Sequence, residues 1–266
     1  MGARLVDVSV STIGCGIMCG LLIERLLDAG AMEAAQITAC DPDEARLSDI
    51  RERLGAKVST DNRDGAAADV VLIAVPPPAV LPVVEEISGA LSAGQLVVSL
   101  APAITLVRLR QAAGGAQVAR VMPNTPSLVG AGMNAWCVAP DTEADQVALL
   151  REMLDVWGHS VEIPEEAMNA ACALVAVGPT YLFPVIATLM EAAVEAGLPA
   201  EVARRTTMGL FCGVSDLVAR TSKTPDQLKQ MISMQPLDDA AAAAVFREAY
   251  QKALAGLRGL ESKLRG

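Results

Sequence analysis

Three stretches of the chain combine residue types and spacings that could do chemistry. The first is Gly14-Cys15-Gly16-Ile17-Met18-Cys19-Gly20, between the β-branched run Val6 to Ile13 and the helically spaced apolar positions of Leu21 to Ala29. Gly14 permits a tight turn and Gly16 lets a pyrophosphate approach the backbone, while the helix N-terminus that follows offers it free N–H groups and a positive dipole. Cys19 holds the third position of that fingerprint, small but not glycine. The second is Asp41, which closes the strand expected over Gln36 to Cys40. An acid there, about 20 residues beyond the glycines, accepts hydrogen bonds from a ribose and repels a 2′-phosphate, which favours NADH over NADPH. Capping of the next helix by Asp41 or Asp43 is compatible with that role. The third is Arg120-Val121-Met122-Pro123-Asn124-Thr125-Pro126, followed by Val129-Gly130-Ala131-Gly132. Its two prolines remove two backbone donors and hold the chain extended, so a rigid loop is expected, neither helix nor central strand, at the carboxyl end of a short strand over Ala116 to Val121.

The elements that must position these groups show as alternating strand and helix patterns. Val70 to Val75 is apolar throughout and therefore expected as a strand covered on both faces, ending in Pro76-Pro77-Pro78, another rigid loop. Gln95 to Leu100 repeats the pattern and ends at Ala101-Pro102-Ala103. Met133 to Val138 and Val161 to Ile163 are expected as further strands on either side of a helix over Thr142 to Trp157. Loops all delivered to one edge predict an α/β fold with a Rossmann-type doubly wound parallel sheet over residues 1–163, and ligands at that edge. From Glu165 onward only helical patterns occur, over Ala167 to Ala196, Ala200 to Arg220 and Leu237 to Leu264, broken at Gly178-Pro179 and Ser222 to Pro236. Residues 164–266 are thus expected as an all-helical second domain. Helices apolar on more than one face need a partner, so a homodimer through this half is expected.

With 52% hydrophobic residues and only 3% aromatics, the core must be built from Ala, Val, Leu, Ile and Met. A formal charge of -10 argues against nucleic acid or an anionic membrane as partner. Six cysteines without a Cys-x-x-Cys pair, and the single histidine His159, offer no metal set. They read as small buried apolar groups in a reducing, cytoplasmic setting. The apolar stretch Val6 to Leu27 is broken by Gly14, Gly16, Gly20, Glu24 and Arg25, so it is not expected to be a signal peptide. The other apolar runs are expected to be too short or too interrupted to span a bilayer.

On these motifs the chain resembles the pyrroline-5-carboxylate reductases, within the superfamily that includes 6-phosphogluconate dehydrogenase. Gly14-Cys15-Gly16-Ile17-Met18 is similar to the family's Gly-x-Gly-Asn-Met turn, with Ile17 in place of Asn. Ala74-Val75-Pro76-Pro77-Pro78 corresponds to its Val-Lys-Pro-Gln loop without the lysine, and Ser99-Leu100-Ala101-Pro102-Ala103-Ile104 to its Ser-Ile-Ala-Ala-Gly-Ile segment. Arg120 to Pro126 with Val129-Gly130 is an intact copy of its most specific motif. The second half departs: the family's Ser-Gly-Ser-Gly-Pro-Ala-Tyr stands as Val175-Ala176-Val177-Gly178-Pro179-Thr180-Tyr181, and its Ser-Pro-Gly-Gly-Thr-Thr as Ser233-Met234-Gln235-Pro236-Leu237-Asp238.

The resemblance implies a reductase of a cyclic imine that uses NADH or NADPH, in the chemistry of proline biosynthesis, with an altered substrate pocket. It implies a cofactor site of Gly14, Cys15, Gly16, Ile17, Met18, Asp41, Ala74, Val75, Pro76, Pro77, Ala101, Met122, Pro123 and Asn124, with Asn124 and Thr125 lining the nicotinamide and acceptor. It also implies a substrate site of Val177, Gly178, Pro179, Tyr181, Ser233, Met234 and Asp238. A carboxylate at Asp238 would favour a protonated imine nitrogen, the better hydride acceptor; a helix N-cap shared with Asp239 is the alternative role. Two other functions stay open. One is a cofactor-binding homologue without turnover. The other is a dehydrogenase of the same superfamily acting on a β-hydroxy acid, against which stands the absence of lysine between Lys57 and Lys223.

Overall fold

The structure, a computed structural model, describes Leu5 and residues 7–265, so Val6, where the first strand was expected to begin, lies outside the described residues. One sheet contains β1 (Val10–Ile13), β2 (Ile37–Cys40), β3 (Lys57–Ser59), β4 (Val70–Ile73), β5 (Leu96–Ser99), β6 (Gln117–Met122), β7 (Gly132–Val138) and β8 (Gly158–Glu162). Their spatial order is β3-β2-β1-β4-β5-β6-β7-β8. All neighbours are parallel except β6 and β7. That one pair is antiparallel because the connection 123–131 is too short for a crossover helix and the chain must turn back.

The helices are α1 (Ile17–Asp28), α2 (Glu44–Leu54), α3 (Asn62–Gly65), α4 (Pro77–Ile87), α5 (Leu106–Ala112), α6 (Ala144–Trp157), α7 (Met168–Val175), α8 (Pro179–Glu195), α9 (Ala200–Arg220), α10 (Pro225–Lys229) and α11 (Asp239–Arg265). Prolines account for three corrections. Pro77 and Pro78 open α4 instead of forming a loop, since the first turn of a helix needs no N–H from them. Thr125–Val129 is a 3-10 turn with Pro126 at its start, for the same reason. Pro225 opens α10 inside the expected break Ser222 to Pro236, with Thr224 and Gln227 forming a capping box. Arg120 to Met122 belong to β6, a strand with a neighbour on each side, because the prolines intervene only from residue 123. The last strand starts at Gly158, earlier than Val161.

Every residue of β1, β4 and β5 is buried, as strands covered on both faces require. One buried cluster includes Leu22, Ile23, Leu26 and Trp157, from α1 and α6; another includes Val80, Val84, Leu109 and Cys172, from α4, α5 and α7. The contacts divide the chain into two compact units. One runs through Val177 and takes in the end of α11 from Lys252; the other is Gly178–Gln251. In the second unit α8 packs on α9, and Leu182, Phe183, Leu189, Leu210 and Val214 are exposed.

Glu165–Glu195 is long and apolar enough to cross a membrane by length and composition, with a mean hydropathy of 1.9 in its most apolar window. The expectation that no such run exists is corrected, since Gly178 and Pro179 divide the stretch only briefly, between α7 and α8.

Candidate functional site

The strand order reverses between β1 and β4, and a cleft of about 560 Å³ opens at the carboxyl ends of β1, β2 and β4. Ten expected cofactor residues line it: Gly14, Gly16, Ile17, Met18, Asp41, Ala74, Val75, Pro76, Pro77 and Ala101. Gly14 has φ 98°, and a Cβ there would fall 2.7 Å from the Ala74 carbonyl oxygen, so no side chain fits. Gly16 is the N-cap of α1 with extended backbone and no side-chain cap, and a Cβ on it would meet nothing within 4 Å. The turn is therefore closed against β4 at residue 14 and open at residue 16, with first-turn N–H groups left for an anion. These features fit a dinucleotide pyrophosphate.

Asp41 is 3% exposed. Its Oδ2 accepts the Cys15 N–H at 2.8 Å and its Oδ1 accepts the Asp43 N–H at 2.9 Å, so the carboxylate braces the glycine turn as well as lining the cleft. Asp43 is the N-cap of α2. Arg46, which the sequence reading passed over, reaches Asp41 Oδ2 at 3.5 Å and lines the same cleft, as does Asn62. The signal for Arg46 was its place one turn after the Asp43 cap, which aims it back toward the end of β2.

Cys15, also expected at the cofactor, is buried and is not among the residues that line the cleft. Hydrogen bonding to Cys19, then burial, pushes its thiol far up; the same bond, opposed by burial and aided by Thr12, lowers Cys19. Burial pushes Cys40, Cys137 and Cys172 up to about 11, so these thiols pack as neutral groups at neutral pH.

The expected nicotinamide residues sit at the end of β6. Met122, Pro123 and Asn124 are buried and Thr125 is exposed. Arg120, with 4% of its side chain exposed, pairs with Glu165 at 2.9 Å, and its Nε has no hydrogen-bond partner. Of the expected substrate residues, Val177 ends the first unit, and Gly178, Pro179, Tyr181, Ser233, Met234 and Asp238 belong to the second. Met234 is 79% exposed. Asp238 precedes α11, and its Oδ1 accepts the N–H groups of Ala240 and Ala241 at 2.9 and 3.1 Å.

Fold and cleft together define an oxidoreductase of the Rossmann class that takes a nicotinamide cofactor. Residues 9–103 match the family model described as NADP oxidoreductase coenzyme F420-dependent, and residues 165–256 match that described as pyrroline-5-carboxylate reductase dimerisation. The pyrroline-5-carboxylate reductase of Corynebacterium melassecola is 33% identical over 256 residues, covering 94% of this chain and 92% of that one. A solved pyrroline-5-carboxylate reductase from Coxiella burnetii matches with TM-score 0.76 and 28% identity, over 97% of this chain and 98% of that one. The Plasmodium falciparum pyrroline carboxylate reductase, solved with NADP bound, shares the fold with TM-score 0.83 at 21% identity, over 98% of this chain and 100% of that one. The chain belongs to the pyrroline-5-carboxylate reductase family.

Proposed function

We propose that this chain reduces a cyclic imine with hydride from a reduced nicotinamide dinucleotide, in a pocket altered from that of its relatives. The observation that carries the reading is the cleft lined by Gly14, Gly16, Asp41, Ala74 and Ala101, in a chain 33% identical over 256 residues to a pyrroline-5-carboxylate reductase. The cofactor supplies the hydride, so the protein's tasks are to hold the acceptor and manage one proton. The glycine turn and the N-terminus of α1 hold the pyrophosphate, Asp41 takes the ribose, and Met122, Pro123 and Thr125 border the nicotinamide. Asp238 favours the protonated imine, whose carbon accepts hydride more readily. Its cap uses only Oδ1, which leaves Oδ2 for such a contact. With a carboxylate there, substrates whose own acid group is distant or absent are preferred, and pyrroline-5-carboxylate itself is a poor one.

NADH is preferred over NADPH because Asp41 repels a 2′-phosphate, but by a narrow margin, since Arg46 sets a cation beside it. The chain works in the cytoplasm as a homodimer through its helical half. The family match over residues 165–256 and the exposed apolar positions of α8 and α9 support that assembly. A panel of cyclic imines assayed with each reduced cofactor tests the reading. Oxidation of the cofactor by at least one imine is expected; tight cofactor binding with no oxidation by any imine would make the chain a non-catalytic homologue.

A further inference from the structure

The carbonyl of Val175 is among the last in α7, and the residue four positions on, whose N–H would complete its helical bond, is Pro179, which has none. The N–H groups of Ala176 and Val177 both turn back to the Cys172 carbonyl, at 3.0 and 3.2 Å. Asn124 supplies the missing donor. Its Nδ2 lies 3.3 Å from the Val175 oxygen, and its Oδ1 accepts the Met133 N–H at 2.9 Å. This pairing fixes the orientation of the amide, because Met133 offers only a donor and Val175 only an acceptor. At 8% exposure the side chain faces little competition from water.

The opposite end of the same segment is fastened too. Glu165, just before α7, accepts with Oε1 from Arg120 Nη1 at 2.9 Å and from the Leu106 N–H at 2.6 Å. The α7 segment is thus tied to β6 and α5 where it begins, and to the turn after β6 where it ends. Residues Val175 to Val177 then stand where the family's Ser-Gly-Ser backbone stands by resemblance.

We propose that Asn124 is a positioning residue that acts through Val175. It replaces the helical hydrogen bond that Pro179 cannot make, and so sets where the Val175–Val177 backbone stands relative to the cofactor edge, without touching the reacting atoms. The proposal rests on the reductase reading above, and it gives Asn124 a different task from lining the nicotinamide.

Asn124→Asp keeps the acceptor for Met133 and removes the donor to Val175. In the full-length enzyme it should raise KM for the imine roughly tenfold, the scale of one lost hydrogen bond, with kcat and the Kd for NADH each within about twofold of the parent. Amide hydrogen exchange over residues 172–178 should quicken at the same time. Pro179→Ala returns an N–H at the fourth position, so in the Asn124→Asp background it should recover most of the KM and the exchange protection, measured against Pro179→Ala alone as a double-mutant cycle. A purely structural role would lower the active fraction without moving KM, and would show no rescue. A fall in kcat on the order of 100-fold at unchanged KM would mean that Asn124 touches the reacting atoms, and would overturn the proposal. Unchanged exchange over 172–178 would overturn it as well. If the parent enzyme reduces no imine, the reductase reading fails by itself, and the exchange measurements still decide what Asn124 does. Should Asn124→Asp not fold, Asn124→Ser is carried through the same cycle.

Discussion

The sheet-bearing unit and the helical unit 178–251 use similar apolar residues to opposite effect. In the first, every residue of β1, β4 and β5 is buried, and the cofactor cleft is lined by residues of that unit alone. In the second, α8 has no fully buried residue and α9 has only Ala203 and Thr207, while Phe183 is 58% and Leu210 55% exposed. Leu210, Val214, Leu217 and Val218 recur at helical spacing along one stripe of α9, and all four are exposed. Apolar composition alone therefore does not make a core. A sheet needs layers on both faces and finds them within the chain, whereas a stripe of this kind is finished by another surface.

The largest expected effect breaks this comparison directly. Leu210→Glu combined with Val214→Glu places two charges on that stripe. It should leave NADH binding intact, shift sedimentation to the 27.6 kDa chain mass and abolish imine reduction. The same change at Leu72, 1% exposed in β4, should unfold the protein by burying an unpaired charge. If the parent itself sediments only at the chain mass, the homodimer reading is wrong; if the α9 double variant sediments as a dimeric parent does, the stripe is not the interface.

Next in size is Asp238→Asn. The amide oxygen still caps α11, so the fold should hold, while loss of the charge should lower kcat on the order of 100-fold if the group supports protonation of the imine. Cofactor affinity should not change, because the cleft lies in the other unit. Full activity in this variant would reduce Asp238 to its cap.

The same comparison explains how much was legible in advance. β-Branched and all-apolar runs, broken by glycine and proline, disclosed the strands that are buried on both faces. They did not disclose β3, which has three residues and exposes Lys57. Prolines read as loop formers were helix openers at Pro77, Pro126 and Pro225, because sequence alone does not say whether a missing N–H falls in a first turn. The place of Asp41 at the cleft was legible by spacing from the glycines. Its hold on the Cys15 N–H was not, because that contact joins the ends of two strands. Arg46 carried a signal in its place one turn after the Asp43 cap, but its reach to Asp41 Oδ2 shows only in the fold.

Arg46→Ala sharpens the cofactor reading with a smaller effect. Arg46 is 56% exposed in its side chain, so its pull on a 2′-phosphate is screened. Removing it should widen the preference for NADH over NADPH by a few-fold, up to about tenfold, in binding titrations. A preference that moves toward NADPH would show that Arg46 serves Asp41 and not the ligand.

The smallest effect concerns Ala103, and it links the two kinds of information. Ala103 has φ 68°, one of two non-glycine residues with positive φ among those described. The family segment that the sequence resembles carries glycine at this position, which is the residue such a backbone favours. Ala103 is 2% exposed and lies in the β5 to α5 connection between Ala101 and Ile104, both members of a buried cluster. A left-handed conformation costs a non-glycine residue about 1–2 kcal/mol. Glycine removes that strain, but it gains backbone freedom in the unfolded chain and loses one buried methyl group, so part of the gain is cancelled. Ala103→Gly should therefore raise stability by no more than about 1 kcal/mol, read as a shift of the urea midpoint at unchanged m. Cofactor affinity should stay within about twofold, since Ala101 and Pro102, not Ala103, line the cleft. A destabilised Ala103→Gly would mean that the buried methyl outweighs the strain, and that the chain has repacked this connection around alanine.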